Sequence, residues 1–127
     1  MLVGTLNAEF PFGVLLITDD GSTEQIPPWR NAAEQATASG SAVVMRVLHQ
    51  QEGSVAVRVW SEEGNDLEVP VFDGEIDVRS GVLSVSDALA DQVVRIHVAV
   101  GTHRIELFAD STSEASVVGV LLDRINL

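Results

Sequence analysis

The clearest alternation of apolar and polar positions lies between residues 93 and 110, VVRIHVAVGTHRIELFAD. Aliphatic residues occupy alternate positions on both sides of Gly101-Thr102, as expected for two strands that each bury one face. Glycine at the first loop position suits a type II′ turn, and a two-residue loop would place Val98 opposite Ile105 with all aliphatic residues on one face. The pattern predicts a β-hairpin over Val93–Asp110 that forms the scaffold of the core.

Short apolar and β-branched runs, separated by turn-forming residues, recur along the rest of the chain. Even spacing of short strands is typical of an antiparallel sandwich or barrel. We predict strands at Phe10–Thr18, Ala42–His49, Ser54–Trp60, Asp66–Phe72, Glu75–Val78, Val82–Ser86 and Ala115–Arg124. The predicted fold is a single all-β domain over residues 1–127, an antiparallel β-sandwich or partly open barrel of about eight strands.

One segment changes period after Pro27-Pro28. Apolar residues there follow the i, i+3, i+4, i+7 spacing of a helix, and they are Trp29, Ala32, Ala33 and Ala36. Pro28 suits the first helical position and Gly40 suits the end. We predict a short helix at about residues 28–38, with Trp29 as a lid on the core.

The middle strands predict an outer sheet face with mixed character. Pairing of Val57 with Val69 would place Arg58 opposite Glu68, a favourable cross-strand pair. The outer face of this sheet would carry Val44, Arg46, Leu48, Arg58, Trp60, Glu68 and Phe72. Because this set is more apolar than a plain solvent face, we expect either the N-terminal segment or helix, or a partner, to cover it. Cover by the chain itself is the preferred interpretation.

Composition excludes several classes of protein. The 127 residues include 46% hydrophobic residues, which is ample for a core, and no cysteine, so disulfides, thiolate nucleophiles and cysteine metal sites are excluded. The N-terminal residues lack the basic start and the apolar region of a signal peptide. Apolar runs are too short to span a bilayer. We expect a soluble, cytoplasmic protein.

The chain is strongly acidic, with a formal charge of −12 from 19 acids and seven bases, all arginine. This charge argues against nucleic acids and anionic membranes as partners, because a phosphate backbone must be neutralised by basic groups. Two interpretations stay open. The acidity either serves solubility alone or forms a surface that meets a basic protein.

The acids concentrate in one stretch without a base, comprising Glu62, Glu63, Asp66, Glu68, Asp73, Glu75 and Asp77. A paired-carboxylate hydrolase needs two acids at a fixed separation in a cleft, one of them with a raised pKa. Most of these acids fall in predicted turns or at exposed alternate positions. We interpret the stretch first as a solvated rim, next as a docking edge for a basic protein, and only third as catalytic.

Candidate catalytic and metal residues are sparse. In the predicted hairpin His97 points outward, opposite Glu106, whereas His103 points inward or lies at the turn, so the two cannot bind one ion. His49 stands alone, and zinc requires three or four convergent ligands. No nucleophile-elbow serine motif or phosphate-binding glycine motif occurs. We expect no catalytic residue, metal or cofactor, although an enzyme that pairs a histidine with a sequence-distant acid stays open.

One family resemblance follows from these elements. The run VPVF at residues 69–72, the strand at 75–78 and the predicted hairpin resemble the C-terminal half of small bacterial β-sandwich proteins related to competence-J-type nuclease inhibitors. Those proteins carry a V-x-x-G-x-aromatic turn, matched here from Val98 to Gly101, with His103 where an aromatic residue is usual. The resemblance implies an inhibitor or immunity role, in which an acidic surface covers a basic nuclease. It assigns no role to an individual residue.

The leading hypothesis is an acidic, non-enzymatic β-sandwich that binds a basic protein, as an inhibitor or immunity protein does. Its predicted contact residues are Arg58, Trp60, Glu62, Glu63, Asp66 and Glu68. The alternative is a sandwich that binds a small ligand or carbohydrate on Trp60 and Trp29. A homo-oligomer that pairs edge strands such as Ala115–Arg124 is a further option.

Overall fold

The computed structural model describes residues 1–22, 27–30, 34–64 and 66–123. Its strands are β1 (Leu2–Ala8), β2 (Val14–Asp19), β3 (Ala36–Ala38), β4 (Ala42–Arg46), β5 (Val55–Ser61), β6 (Val69–Val78), β7 (Val82–Asp87), β8 (Val93–His97), β9 (Gly101–Ala109) and β10 (Val117–Leu122). The helical part of these described residues is a single 3-10 turn at Pro11–Gly13. No helix within them is long and apolar enough to cross a membrane.

The strands form two five-stranded sheets. Sheet A has the order β1-β5-β10-β9-β6, and sheet B has the order β3-β4-β2-β7-β8. Neither sheet closes into a barrel, so the predicted all-β sandwich is confirmed. The strand pairs are antiparallel except for β5 and β10, which run parallel; this pair departs from the predicted antiparallel pattern.

The core lies between the inner faces of the two sheets, where the predicted alternation holds. Ile96 on β8 and Ile105 on β9 are both buried, as are Val43, Met45 and Val47. Each strand thereby removes one aliphatic row from water, which stabilises the fold by roughly 1.5–3 kcal/mol for each large side chain. The prediction of which residues face inward is correct for these strands.

The predicted hairpin over Val93–Asp110 is wrong. Strand β8 pairs with β7 in sheet B, whereas β9 pairs with β6 and β10 in sheet A. The link between them passes from one sheet to the other, with Val98 N–H donating to Gly81 O at 2.9 Å. Val98 therefore does not oppose Ile105, and His97 does not oppose Glu106. Alternation shows which face of a strand is buried, and a partner sheet buries that face as well as a hairpin would.

The predicted helix at 28–38 is also wrong wherever the chain is described. Residues 27–30 and 34–35 are not helical, 31–33 lie outside the described residues, and Ala36–Ala38 forms β3. Strand β3 pairs with β4, with Ala36 opposite Met45, and it packs against the core. Alanine favours a helix over a strand, but this propensity is weak, and backbone pairing with β4 overrides it.

Strand boundaries differ most where special backbone geometry occurs. Prediction missed β1, and it began β2 too early because Phe12 adopts a left-handed conformation (φ 61°) in the 3-10 turn. It also placed a turn at Asp73-Gly74, whereas β6 continues through both residues. Glycine at position 74 allows the Phe72 ring to lie close to the backbone, since a Cβ there would lie 2.7 Å from Phe72 Cζ. The predicted strands at 42–49, 54–60, 82–86 and 115–124 correspond to β4, β5, β7 and β10, and residue 124 lies outside the described residues.

Pairing of the middle strands differs from the prediction as well. Strand β6 pairs with β9 and not with β5, so the predicted Val57–Val69 and Arg58–Glu68 pairs do not form. The predicted outer face is divided, because β4 belongs to sheet B whereas β5 and β6 belong to sheet A. Val44, which faces away from the core on β4, is nevertheless only 1% exposed.

The chain itself covers this part of sheet B. In the connection from β2 to β3, the Trp29 ring lies over Arg46, with 4.2 Å from the guanidinium carbon to the ring centroid. Gln35 O accepts a hydrogen bond from Arg46 N–H at 2.8 Å. Intramolecular cover, the preferred interpretation from sequence, thus applies around Arg46, with Trp29 as the covering residue.

Candidate functional site

The connection from β5 to β6, residues 62–68, crosses the outer face of sheet A. Strand β5 is parallel to β10, which is antiparallel to β9, which is antiparallel to β6, so β5 and β6 run in the same direction. The register places the first residue of β6, Val69, level with Val57 and three strands away. Val69 therefore lies about 13 Å from Ser61 along the strand direction and about 14 Å across the sheet. Seven extended residues are long enough to span this distance. Because the inner face packs on sheet B, the described residues 62–64 and 66–68 of this connection are assigned to the outer side of the sheet; we call them the acidic crossover.

Trp60 supports the acidic crossover. The alternation of β5 directs Arg58 and Trp60 away from the core. A Cβ on Gly64 would lie 2.2 Å from Trp60 Cε3, and Gly64 has φ +128°. Only glycine can lie this close to the indole in this conformation. The crossover therefore rests on one face of the Trp60 ring.

Backbone hydrogen bonds fix the start of the acidic crossover. Glu62 N–H donates to Leu122 O at 2.8 Å, and the Met1 amino group donates to Ser61 O and to Glu63 O, both at 2.8 Å. Glu62 itself is left-handed, with φ 69°. For a residue with a Cβ this conformation costs roughly 1–2 kcal/mol, so the glutamate is retained here against its backbone preference.

The carboxylates of the acidic crossover are exposed, and the positive charge held nearby is that of the Met1 amino group, which bonds to backbone oxygens. Glu62, Glu63, Asp66 and Glu68 are all exposed, and in the described part of the chain none of them forms an ion pair. Arginines pair with acids elsewhere, and these pairs are Arg79–Asp77 at 3.0 Å, Arg95–Asp20 at 3.3 Å and Arg104–Asp73 at 2.9 Å. The local negative charge is thus concentrated on the crossover.

Electrostatics differ on the far edge of the same sheet. Hydrogen bonds from Arg104 hold the pKa of Asp73 below its usual range, and Arg104 also lies 3.6 Å from Glu106. Asp73 and Asp77, which belong to the same acidic stretch of the sequence as residues 62–68, are therefore paired with arginines. The acidic stretch divides into a free segment, the crossover, and a paired segment on β6.

Arg58 lies at the centre of the outer face of sheet A. It is exposed, with Thr5 and Gly119 directly beside it on the neighbouring strands, and no ion pair to Arg58 is found among the described residues. Next to Arg58 the outer face carries half-buried apolar side chains, which are Trp60, Phe108, Val117 and Leu121. Of the predicted residues, Arg58 and Trp60 thus share the outer face of β5, Glu62 and Glu63 follow directly after the end of this strand, and Asp66 and Glu68 lie further along the crossover.

The two tryptophans do not form a common stacking surface. Trp60 lies on the outer face of sheet A under Gly64, whereas Trp29 lies over Arg46 on the outer side of sheet B. One face of each ring is occupied by the chain itself. The geometry therefore does not favour a carbohydrate platform built from both rings.

The histidines have separate surroundings. His103 is buried, with Nε2 2.7 Å from Ala99 O and Nδ1 3.3 Å from Asp123 Oδ1, so it joins the link before β9 to the end of β10. His97 is exposed, and His49 accepts a hydrogen bond from Gln51 N–H at Nδ1. The predicted inward and outward directions of His103 and His97 are correct. No group of three or more histidine or acidic side chains in the described part of the chain could hold a metal ion.

The predicted use of β10 as an edge strand is wrong. Strand β10 lies between β5 and β9 and pairs with both, so neither of its edges is open. The edge strands are β1 and β6 in sheet A and β3 and β8 in sheet B. An oligomer that pairs strands would have to use one of these.

Comparison with known proteins gives a match in structure alone, since no family model and no curated protein sequence matches the chain. The crystal structure of ComJ from Bacillus subtilis, described as an inhibitor of the DNA-degrading activity of NucA, has a TM-score of 0.73 at 12% identity and 98% coverage of both chains. A crocagin biosynthesis protein, gene J, has a TM-score of 0.54 at 15% identity, covering 98% of this chain and 97% of the other. The resemblance to competence-J-type proteins is confirmed at the level of the fold, and it extends over the whole chain.

Proposed function

We propose that this protein is a non-enzymatic inhibitor or immunity protein that binds a basic protein partner such as a nuclease. The proposed contact surface comprises Arg58, Trp60, Glu62, Glu63, Asp66 and Glu68. The inhibition named for ComJ is a property of that protein, and a shared fold supports the same kind of role here without identifying the partner.

The observation that carries the proposal is the excess of negative charge on the acidic crossover, whose carboxylates form no ion pair with a described residue. Four exposed carboxylates lie on one short segment whose start is fixed by hydrogen bonds. Such a patch raises the local concentration of a basic partner and accelerates encounter, most strongly at low salt. It would at the same time repel nucleic acid, since phosphates carry the same sign of charge.

The surroundings of the crossover supply short-range contacts. Arg58 and Trp60 are of the residue types that most often dominate binding energy at protein interfaces. They lie beside half-buried Phe108 and Leu121, so an apolar centre is bordered by charge, as in many protein interfaces. The charged border would steer the partner, and the centre would hold it.

Nuclease inhibition is the direct test. Degradation of DNA by NucA, and by basic nucleases from the genome that encodes this chain, is measured with increasing amounts of the protein, using ComJ on NucA as the positive control. We expect one of these nucleases to be inhibited at stoichiometric amounts. The triple variant Glu62→Gln, Glu63→Gln, Asp66→Asn should weaken inhibition at least tenfold.

A matched control separates the site from net charge. The triple variant Glu9→Gln, Glu52→Gln, Asp91→Asn removes the same charge from exposed positions outside the crossover and should inhibit as well as the wild type. Equal losses in both variants would contradict the assignment of the crossover. A wild-type protein that neither binds nor inhibits any of the nucleases would refute the inhibitor role.

A further inference from the structure

A second surface, remote from the acidic crossover in sequence, is marked by Phe12. This side chain is 71% exposed, and its backbone is left-handed, with φ 61° and ψ 5°. The neighbouring position 13 requires glycine, because a Cβ there would lie 2.8 Å from Val47 O. A left-handed position favours glycine or asparagine, and a ring that is 71% exposed is only slightly buried by the folded chain. The fold therefore does not explain why phenylalanine is present.

Phe12 borders an open cavity of about 420 Å³ at this end of the sandwich. The charged side chains that line the cavity are Glu34, Arg46 and Glu114. Two carboxylates and one guanidinium therefore line the cavity, and the guanidinium, that of Arg46, is stacked on Trp29. Glu34 is oriented by the Arg30 N–H, which donates to Oε2 at 2.7 Å. Glu114 is left-handed as well, with φ 49°.

We propose that this cavity, bordered by Phe12, Glu34 and Glu114, is a second binding site that receives an arginine or lysine side chain of a partner protein. A carboxylate binds a guanidinium through charge-assisted hydrogen bonds, and an aromatic ring attracts the same cation through its face. The Trp29–Arg46 stack is an example of the second contact within this cavity. The net charge of −12 favours the same ligand. This inference does not depend on the acidic crossover or on nuclease inhibition.

Fluorescence of Trp29 provides the readout, since Trp29 lines the cavity. The variant Trp60→Phe leaves Trp29 as the single tryptophan. The probe is an acetylated and amidated hexapeptide of alternating arginine and glycine. Peptides with citrulline or glutamate in place of arginine serve as the neutral and the acidic comparison. We expect a saturable change of emission with the arginine peptide, at least tenfold weaker binding of the citrulline peptide, and no response to glutamate.

Two variants in the Trp60→Phe background test the site itself. Glycine adopts the left-handed conformation readily, so the variant Phe12→Gly should fold with an unchanged unfolding midpoint. It should nevertheless bind the arginine peptide at least tenfold more weakly. The double variant Glu34→Gln, Glu114→Gln should weaken binding of the arginine peptide similarly, whereas the double variant Glu9→Gln, Asp91→Asn, at exposed positions that do not line the cavity, should retain it. Binding that survives both cavity variants, equal binding of the citrulline peptide, a response to glutamate in place of arginine, or no response at all would overturn the proposal.

Discussion

The contact between Gly64 and Trp60 determines how the acidic crossover lies on sheet A, and the substitution Gly64→Ala tests it. The added Cβ would meet three atoms of the Trp60 ring at 2.2, 2.8 and 2.9 Å. The crossover or the indole must therefore move by about 1 Å to restore ordinary contact distances. The backbone conformation, φ +128°, is itself one that residues with a Cβ rarely adopt.

The expected loss of stability follows from these two contributions. A residue forced into a sparsely populated conformation costs about 1–3 kcal/mol, and overpacking costs about 1–3 kcal/mol. Because the crossover is a surface connection, it can lift from the indole without separating the sheets, so the two costs do not add fully. We expect the free energy of unfolding to fall by about 2–4 kcal/mol.

Urea unfolding in a Trp29→Phe background measures this effect, since Trp60 is then the single tryptophan. Gly64→Ala should lower the midpoint, shift the native emission of Trp60 to longer wavelength and increase its quenching by acrylamide. The matched control is Gly101→Ala, where φ is +135° and no atom lies within 4 Å of the added Cβ. This control carries the backbone cost without the clash. Equal midpoints for the two variants, with unchanged Trp60 emission, would refute the contact.

Three further predictions concern single residues. Glu62→Gly should leave the free energy of unfolding unchanged or raise it by up to about 1.5 kcal/mol, because relief of a left-handed glutamate (about 1–2 kcal/mol) equals or exceeds the cost of the greater entropy of unfolded glycine (about 0.5–1 kcal/mol); a lower free energy of unfolding in urea would contradict this. Burial raises the pKa of Asp110, but hydrogen bonds from Ser116 Oγ and from the N–H groups of Val117 and Ser116 outweigh it, so the pKa is lowered overall. The stabilisation from ionised Asp110 is complete above the ordinary aspartate pKa of 3.8 and is lost as pH falls below it. Asp110→Asn should therefore flatten the fall in the free energy of unfolding between pH 5 and about pH 3. An unchanged slope would argue against a stabilising role of these hydrogen bonds. His103→Phe should destabilise the chain by about 1–3 kcal/mol, because it removes the partner of Ala99 O, and an unaltered urea midpoint would exclude this role.

Sequence periodicity predicted the buried faces well and the strand partners poorly. Ile96 and Ile105 are both buried as the alternation required, yet they belong to different sheets. A period of two depends only on the environment of one strand, whereas pairing depends on how the whole chain is routed. The same limit explains Ala36–Ala38, where alanines compatible with a helix pair with β4.

The concentration of acids in the candidate site could be predicted from the sequence, whereas its arrangement on the sheet could not. The acids at positions 62–68 are adjacent in sequence, so their concentration is visible without a structure. Their position over Trp60 follows from the parallel relation of β5 and β6, which the two intervening strands create. Phe12 was not identified as a site residue, because its left-handed backbone gives no signal in the pattern of apolar positions.

The placement of arginines explains why the crossover is the part of the acidic surface to assign to a partner. Surface ion pairs contribute little individually, but each one at Asp20, Asp73 and Asp77 reduces repulsion in a chain with a net charge of −12. The crossover has no such relief among the described residues, and Glu62 adds a backbone strain that glycine would avoid. Repulsion and strain on one segment lower the stability of the isolated protein. A basic partner would reverse the first of these costs on binding, whereas within the described chain the Met1 amino group reaches only the backbone oxygens of Ser61 and Glu63.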